Sequence, residues 1–185
     1  RLLQGDVGSG KTVLAGLAAV QSADSGYQTA LMAPTEILAE QLYATLSPWL
    51  TPLGISIQLL TGSTKASDKR KILFELTTGS LSIVVGTHAL FQDEVNYTKL
   101  GLVIVDEQHR FGVEQRLALK NKGQADKLMP HLLHMTATPI PRSLAMAFYG
   151  DLSISSLTER PPGRQSIDTI VISEGKRQQL AERVM

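Results

Sequence analysis

The sequence predicts a doubly wound α/β fold, in which helices cover both faces of a mostly parallel sheet. Short aliphatic or β-branched runs alternate with helical patterns along the chain, as in repeated βα units. Several of these runs are apolar on both faces, which is typical of strands that helices cover on each side. The 185 residues suffice for one sizeable domain with a hydrophobic core.

Six segments are predicted as strands: residues 1–4, 28–33, 56–60, 82–85, 102–106 and 132–135. Five segments are predicted as helices: residues 11–23, 36–50, 67–77, 113–122 and 141–149. In the second helix Leu38, Leu42 and Leu46 recur at helical spacing, and Thr35 is placed to cap its N-terminus. Pro141 falls in the first turn of the last helix, where a missing amide is harmless.

The amino-acid composition changes near the end of the chain. Residues 158–166 contain Pro161, Pro162 and Gly163, which cannot continue a helix or a central strand and therefore predict a linker. Beyond it, residues 167–172 are predicted as a strand and residues 176–184 as a helix. We expect a first domain over residues 1–157 and the incomplete start of a second over residues 167–185. Because residue 1 already lies in a predicted strand, we expect a fragment of a longer protein.

Composition narrows the class of protein. Apolar residues make up 43% and charged residues 19%, which argues against intrinsic disorder. A net charge of +1 neither demands nor excludes a nucleic-acid partner. The chain has no cysteine, which excludes disulfides and thiolate metal sites. Because no apolar run approaches the roughly 18 residues of a membrane span, we expect no membrane partner.

A phosphate-binding loop is predicted at the N-terminal end of the chain. The residues that fit the pattern G-x-x-x-x-G-K-[ST] are Gly5, Asp6, Val7, Gly8, Ser9, Gly10, Lys11 and Thr12. In such a loop the backbone amides and the following helix N-terminus face phosphate oxygens. The Lys11 ammonium can reach the β- and γ-phosphates, and the Thr12 hydroxyl can bind Mg²⁺.

Two adjacent carboxylates follow the predicted strand 102–106. Asp106 sits at the carboxyl end of this strand, where doubly wound sheets form their ligand crevice. We expect Asp106 to hold Mg²⁺, directly or through water, and Glu107 to orient and polarise the attacking water. The two motifs together predict binding and hydrolysis of a nucleoside triphosphate, with ATP and Mg²⁺ as the cofactors.

These motifs resemble those of superfamily 2 helicases and translocases. The run Asp106-Glu107-Gln108-His109 is similar to their DEAH-type second motif, residues 33–41 to motif Ia, residues 86–90 to the Ib–Ic region and residues 135–139 to motif III. Within the superfamily, residues 4–12, 106–113 and 135–142 resemble the RecG family of bacterial ATP-dependent helicases, which remodel branched DNA. The resemblance implies a RecA-like motor lobe, and it adds His109 to the catalytic group.

The resemblance also implies partners and further site residues. It places Pro34, Thr35, Glu36, Gly62, Ser63, Thr87 and His88 on the side that faces branched or duplex DNA. It implies a second RecA-like lobe and a wedge domain elsewhere in the full-length chain, and we expect a monomer in the bacterial cytoplasm. We further expect the hydroxyls of Thr136 and Thr138 to couple the carboxylate cluster to the interface between the lobes.

Simpler interpretations stay open at several positions. Thr35 can act as a plain helix cap, His88 as a structural hydrogen-bonding residue, and the two threonines as caps of the turn that follows them. The basic residues Lys65, Lys69, Arg70 and Lys71 are interpreted as a solvated helix face. At the level of function, the alternatives are a duplex translocase lobe of the Mfd family and a nucleotide-gated DNA-binding module without significant turnover.

Overall fold

The computed structural model describes residues 1–107, 129–138 and 153–159, together with residues 171 and 175. The strands are β1 (Leu2–Gly5), β2 (Gln28–Met32), β3 (Ile57–Leu60), β4 (Ile83–Gly86), β5 (Leu100–Val105), β6 (His131–Thr136) and β7 (Ile154–Leu157). The helices are α1 (Lys11–Asp24), α2 (Glu36–Leu50) and α3 (Ala66–Thr78), and short 3₁₀ turns occupy Thr51–Leu53 and His88–Phe91. Within these residues, none of the helices combines the length and the apolar character needed to cross a membrane.

The described strands form one sheet in the order β3-β4-β2-β5-β6-β1-β7, and every pair of neighbours is parallel. Parallel neighbours require a crossover connection, which α1, α2 and α3 provide for the first four strands. The predicted doubly wound α/β class is therefore confirmed.

Helices cover both faces of the sheet. Along β2, Leu31 packs into one hydrophobic cluster with side chains of α1 and α2, whereas Ala30 and Met32 pack into a second cluster with side chains of α3. All five residues of β2 are buried, including the polar Gln28 and Thr29, because helices cover both faces of this strand. The sheet therefore lies between two hydrophobic clusters, and the loops at both of its edges are anchored to it.

The predicted strand and helix positions agree with the described elements to within two residues at each end. One described strand, β7, was not predicted from the sequence. Its sequence Ile-Ser-Ser-Leu has few apolar residues, and it pairs with β1 alone among the described strands. An edge strand of this kind needs no continuous apolar run because one side of it is not covered by a neighbour.

Other predicted elements lie wholly or partly outside the described residues. The predicted helices 113–122 and 141–149 lie outside the described residues, as do the linker beyond residue 159 and the start of the second domain. Within that last segment, Val171 is described, and it is exposed and in no strand.

The predicted cap of α2 is confirmed. Thr35 has an extended backbone, and its Oγ1 accepts a hydrogen bond of 3.3 Å from the Leu38 amide. This bond satisfies one of the amides that the first turn of a helix leaves without a partner.

Gln28 joins three elements at the edge of the sheet where the strands begin. Its Nε2 donates to the carbonyls of Leu76 and Leu81, at 2.9 and 3.0 Å, and its Oε1 accepts from the Lys99 amide at 3.0 Å. Gln28 is buried, so its polar side chain depends on these three protein partners and not on bulk water.

We expect Gln28→Ala to lower the free energy of unfolding by about 2 kcal/mol or more, because it removes the three hydrogen bonds of a buried side chain. Urea unfolding followed by circular dichroism measures this change. Gln21→Ala, at an exposed position of α1, is the matched control and should change stability little. Equal stability of the two variants would show that water satisfies the buried groups.

Candidate functional site

The predicted phosphate loop joins the end of β1 to the start of α1. Gly8 and Gly10 have φ angles of 80° and 92°, a region that residues with a Cβ rarely adopt. Gly10 is also the N-cap of α1, whose first turn contains no acidic residue. The loop therefore presents an uncompensated helix N-terminus, which attracts anions.

The Lys11 side chain folds back over its own loop. Its Nζ donates to the carbonyl oxygens of Gly5, at 2.8 Å, and Asp6, at 2.9 Å. The Asp6 carboxylate in turn accepts from the Val7 amide at 2.7 Å. The loop thus holds a cation at its centre through backbone oxygens, and an arriving anion could replace these oxygens.

The chemistry of the loop fits a phosphate group. Ser9 Oγ is buried and has no hydrogen-bond partner among the described residues. A buried hydroxyl without a partner is costly, and a phosphate oxygen would provide the acceptor it lacks. Space for Ser9 Oγ exists because Gly5 has no side chain, since a Cβ there would lie 2.5 Å from it.

Asp106 and Glu107 follow β5 at the same edge of the sheet. The Asp106 amide extends the ladder with β2 by donating to the Met32 carbonyl at 2.9 Å, and the Glu107 amide donates to Asp106 Oδ1 at 3.1 Å. Glu107 has a φ of 49°, the one positive value at a residue other than glycine in the described part of the chain. Such strain, of about 1–3 kcal/mol, often marks functional positions.

The environment of Asp106 disfavours its charge. Burial, and then the nearby Glu107 carboxylate, raise the pKa of Asp106 above its ordinary value of 3.8. The Glu107 amide and the Lys11 ammonium act in the opposite direction. The loop after β1 and the carboxylates after β5 leave the same edge of the sheet with only β6 between their strands, although they are distant in sequence.

A divalent cation would favour the charged form of Asp106, because such cations bind ionised oxygen ligands. The described residues contain no group of three His, Asp or Glu side chains that could hold a metal alone. Asp106 and Thr12 would therefore bind Mg²⁺ together with phosphate oxygens and water, as Mg²⁺ commonly does.

Thr136 ends β6 and Thr138 lies in the turn that follows. They are between the other parts of the site, because β6 pairs with both β5 and β1. Their hydroxyl oxygens are 3.0 Å apart, and the Thr138 amide donates to Thr136 Oγ1 at 3.2 Å. These are local bonds of the turn, so they agree with the capping interpretation. Coupling to the carboxylates stays a prediction.

The residues that were predicted to face DNA form a second group. They follow β2, β3 and β4, which are adjacent in the sheet. They therefore lie in one half of the edge that the carboxyl ends of the strands form. Thr87 is buried, whereas His88 is exposed at the start of a 3₁₀ turn. The Glu36 carboxylate accepts hydrogen bonds from Ser63. His109 lies outside the described residues.

The basic residues of α3 behave as a solvated face. Lys69 pairs with Glu94, and Lys71 lies 3.8 Å from Glu75 one turn along the helix. These exposed pairs support the simple interpretation of the cluster.

A cavity of about 390 Å³ beside the phosphate loop was not predicted. It is lined by Gln4, Gly5, Asp6, Ala137, Ser156, Leu157 and Thr158. Part of its wall comes from β7, the strand that carries too weak a sequence pattern to be recognised. No sequence signal could therefore have identified it.

We expect Asp106→Asn to raise the midpoint of thermal unfolding of the chain at pH 7 in the absence of divalent cations. A raised pKa in the folded state means that ionisation costs stability as the pH rises above the ordinary value of 3.8. Asparagine removes the charge but keeps an acceptor for the Glu107 amide. Calorimetric scans from pH 7 to pH 4 should show the gain shrinking toward the acid end.

Asp93→Asn, at an exposed position, is the control and should leave the midpoint nearly unchanged. A lower midpoint for Asp106→Asn would mean that attraction to Lys11 outweighs burial.

Comparisons with known proteins agree with these features. The DEAD/DEAH box helicase family profile matches residues 1–147. Over 184 residues the chain is 55% identical to the ATP-dependent DNA helicase RecG of Synechocystis sp. and 50% identical to that of Escherichia coli (strain K12). These matches cover 100% of this chain but only 22% and 27% of the two relatives. The chain thus spans about a quarter of the length of the curated relatives it matches.

Solved structures give the same result. A structure of RecG bound to a three-way DNA junction superposes with a TM-score of 0.80 at 47% identity, covering 100% of this chain and 24% of that one. The helicase domain of Pyrococcus furiosus Hef superposes with a TM-score of 0.64 at 20% identity over 84% of this chain and 34% of that one, which shows the fold alone. The resemblance to RecG is confirmed, and the chain belongs to the DEAD/DEAH box helicase family.

Proposed function

We propose that this chain is the ATP-binding motor lobe of an ATP-dependent DNA helicase that remodels branched DNA. The observation that carries the proposal is the meeting of the phosphate loop with Asp106 and Glu107 at one edge of a parallel sheet. The names of the relatives, ATP-dependent DNA helicase RecG, support the choice of nucleotide and reaction.

The residues of the site would have separate roles in ATP hydrolysis. The loop amides and the N-terminus of α1 would bind the phosphates, and Lys11 would exchange its two carbonyl partners for phosphate oxygens. Thr12 and Asp106 would hold Mg²⁺, which when bound neutralises charge on the phosphates. Glu107 would orient the attacking water, and His109 belongs to the same proposed group.

The other half of the edge would bind DNA. Amides at the N-terminus of α2, and the turns after β3 and β4, can contact backbone phosphates without reading sequence. Such contacts suit a motor that must move along any DNA.

Most of the remaining parts of the proposed enzyme lie outside the described residues. We place a linker at residues 158–166 and the start of a second RecA-like lobe at residues 167–185, and we add a wedge domain elsewhere in the full-length protein. The working unit is proposed to be a monomer in the bacterial cytoplasm. Thr136 and Thr138 are proposed to couple phosphate release to movement of the lobes.

Two alternative functions differ from the proposed helicase in what ATP binding or hydrolysis would drive. An Mfd-like lobe would move along duplex DNA without separating strands, and a nucleotide-gated module would bind DNA without significant turnover. Identity to RecG along the whole chain favours the helicase, and a water-orienting Glu107 has no use in a pure switch.

We expect Lys11→Ala to abolish binding of Mg-ATP, because it removes the cation at the centre of the loop. Titration calorimetry measures the affinity. Lys99→Ala, at an exposed residue next to the opposite edge of the sheet, removes the same charge and should bind normally. Unchanged affinity of Lys11→Ala would exclude this loop as the nucleotide site.

In the full-length protein, we expect Glu107→Gln to bind ATP nearly as the wild type does but to hydrolyse it at least about a hundredfold more slowly. The amide preserves size and removes the carboxylate that polarises water. A phosphate-release assay and a binding titration separate the two effects, with Asp24→Asn on an exposed part of α1 as the control. Loss of ATP binding in Glu107→Gln would instead make Glu107 a structural or metal-binding residue.

A further inference from the structure

The carboxylate of Glu36 joins two loops of the proposed DNA-binding half. Glu36 is the first residue of α2, directly after β2, whereas Ser63 lies in the turn after β3. These strands are not neighbours, because β4 lies between them. The link therefore spans the end of β4, where Thr87 begins the third loop of the group.

Both donors of Ser63 are directed to this carboxylate. The Ser63 amide donates to Glu36 Oε1 at 3.3 Å, and the Ser63 hydroxyl donates to Oε2 at 2.8 Å. A serine has one hydroxyl proton and one amide proton, so Ser63 has no further donor for a DNA phosphate. Gly62 permits the approach, since a Cβ there would lie 2.9 Å from Glu36 Oε1.

The turn is also tied together internally. Thr64 Oγ1 accepts from the Thr61 amide at 2.9 Å, and the hydroxyl oxygens of Thr61 and Ser63 are 2.9 Å apart. Thr61 is buried, which anchors the turn to the sheet. The carboxylate thus fixes an already ordered turn against the N-terminus of α2.

The charge of Glu36 is unexpected on a surface that binds DNA. A carboxylate repels phosphates, and Glu36 lies in the first turn of α2, near the helix N-terminus that would attract them. If Glu36 served only as surface charge, its removal would strengthen DNA binding. The release of the two Ser63 donors would act in the same direction.

We propose that Glu36 is a positioning residue that holds the turn after β3 and the start of α2 at the spacing that DNA phosphates require. The inference rests on the proposed function, because it concerns the same DNA-binding half. Neither Glu36 nor Ser63 would then contact DNA through its side chain. The contacts would come from the exposed backbone at Gly62, the first amides of α2 and the loop at Thr87 and His88.

The test compares DNA affinities of full-length variants by fluorescence anisotropy with a labelled three-way junction. We expect Glu36→Ala to weaken binding about fivefold, although it removes a negative charge, since hydrogen bonds to a charged group are lost. Glu36→Gln keeps an acceptor for Ser63 and should restore most of the affinity. Ser63→Ala should weaken binding less, and adding it to Glu36→Ala should cause no further loss.

Glu40→Ala is the matched control, because it removes the same charge from an exposed position one turn along α2. It should bind DNA as tightly as the wild type or more tightly. The nucleotide affinity of each variant shows that the lobe is folded, and Ser63→Ala carries the test if Glu36→Ala does not fold.

The outcomes distinguish the two proposals. Wild-type protein that fails to bind the junction would overturn the proposed function and the inference with it. Wild-type binding together with a Glu36→Ala variant that binds as Glu40→Ala does would overturn the inference alone. Equal weakening by Glu36→Ala and Glu36→Gln would also overturn it, because charge and not positioning would then be responsible.

Discussion

The parallel direction of the described strands is the constraint on which the site depends. Because neighbours run the same way, their carboxyl ends share one edge, and the loops that leave them are collected there. The strand order then divides this edge. The half of the edge formed by β5, β6 and β1 contains the phosphate loop, which follows β1, and the carboxylates, which follow β5. The half formed by β3, β4 and β2 contains the proposed DNA-binding group. The Asp106 amide bonded to the Met32 carbonyl joins the two halves directly.

Several features of the nucleotide half cost stability in the free protein. The buried hydroxyl of Ser9 has no partner among the described residues, burial disfavours the charge of Asp106, and Glu107 adopts a strained backbone. A ligand with phosphate oxygens and a divalent cation would account for the first two, because it would supply an acceptor and a positive charge. Proteins commonly tolerate such local costs at functional sites, where the surrounding sheet is stable enough to impose them.

The sequence predicted the parts of this structure that depend on local chemistry. The phosphate loop has fixed glycine and lysine spacings, and a buried strand such as β4 consists mainly of β-branched aliphatic residues. It could not predict β7, because a short edge strand with two serines carries little hydrophobic pattern, and so the cavity beside Gly5 was missed as well. The left-handed backbone of Glu107 and the bond between Glu36 and Ser63 also escaped prediction, since both follow from how distant segments pack.

We propose that nucleotide chemistry in one half of the edge is linked to DNA in the other half. Measuring ATP turnover by the full-length protein, with and without a three-way DNA junction, tests this link. We expect the junction to increase turnover severalfold or more, and a variant without the Lys11 ammonium to show no turnover in either condition. Turnover that is the same with and without DNA would contradict a DNA-driven motor, and the absence of turnover with intact ATP binding would favour a nucleotide-gated binding module.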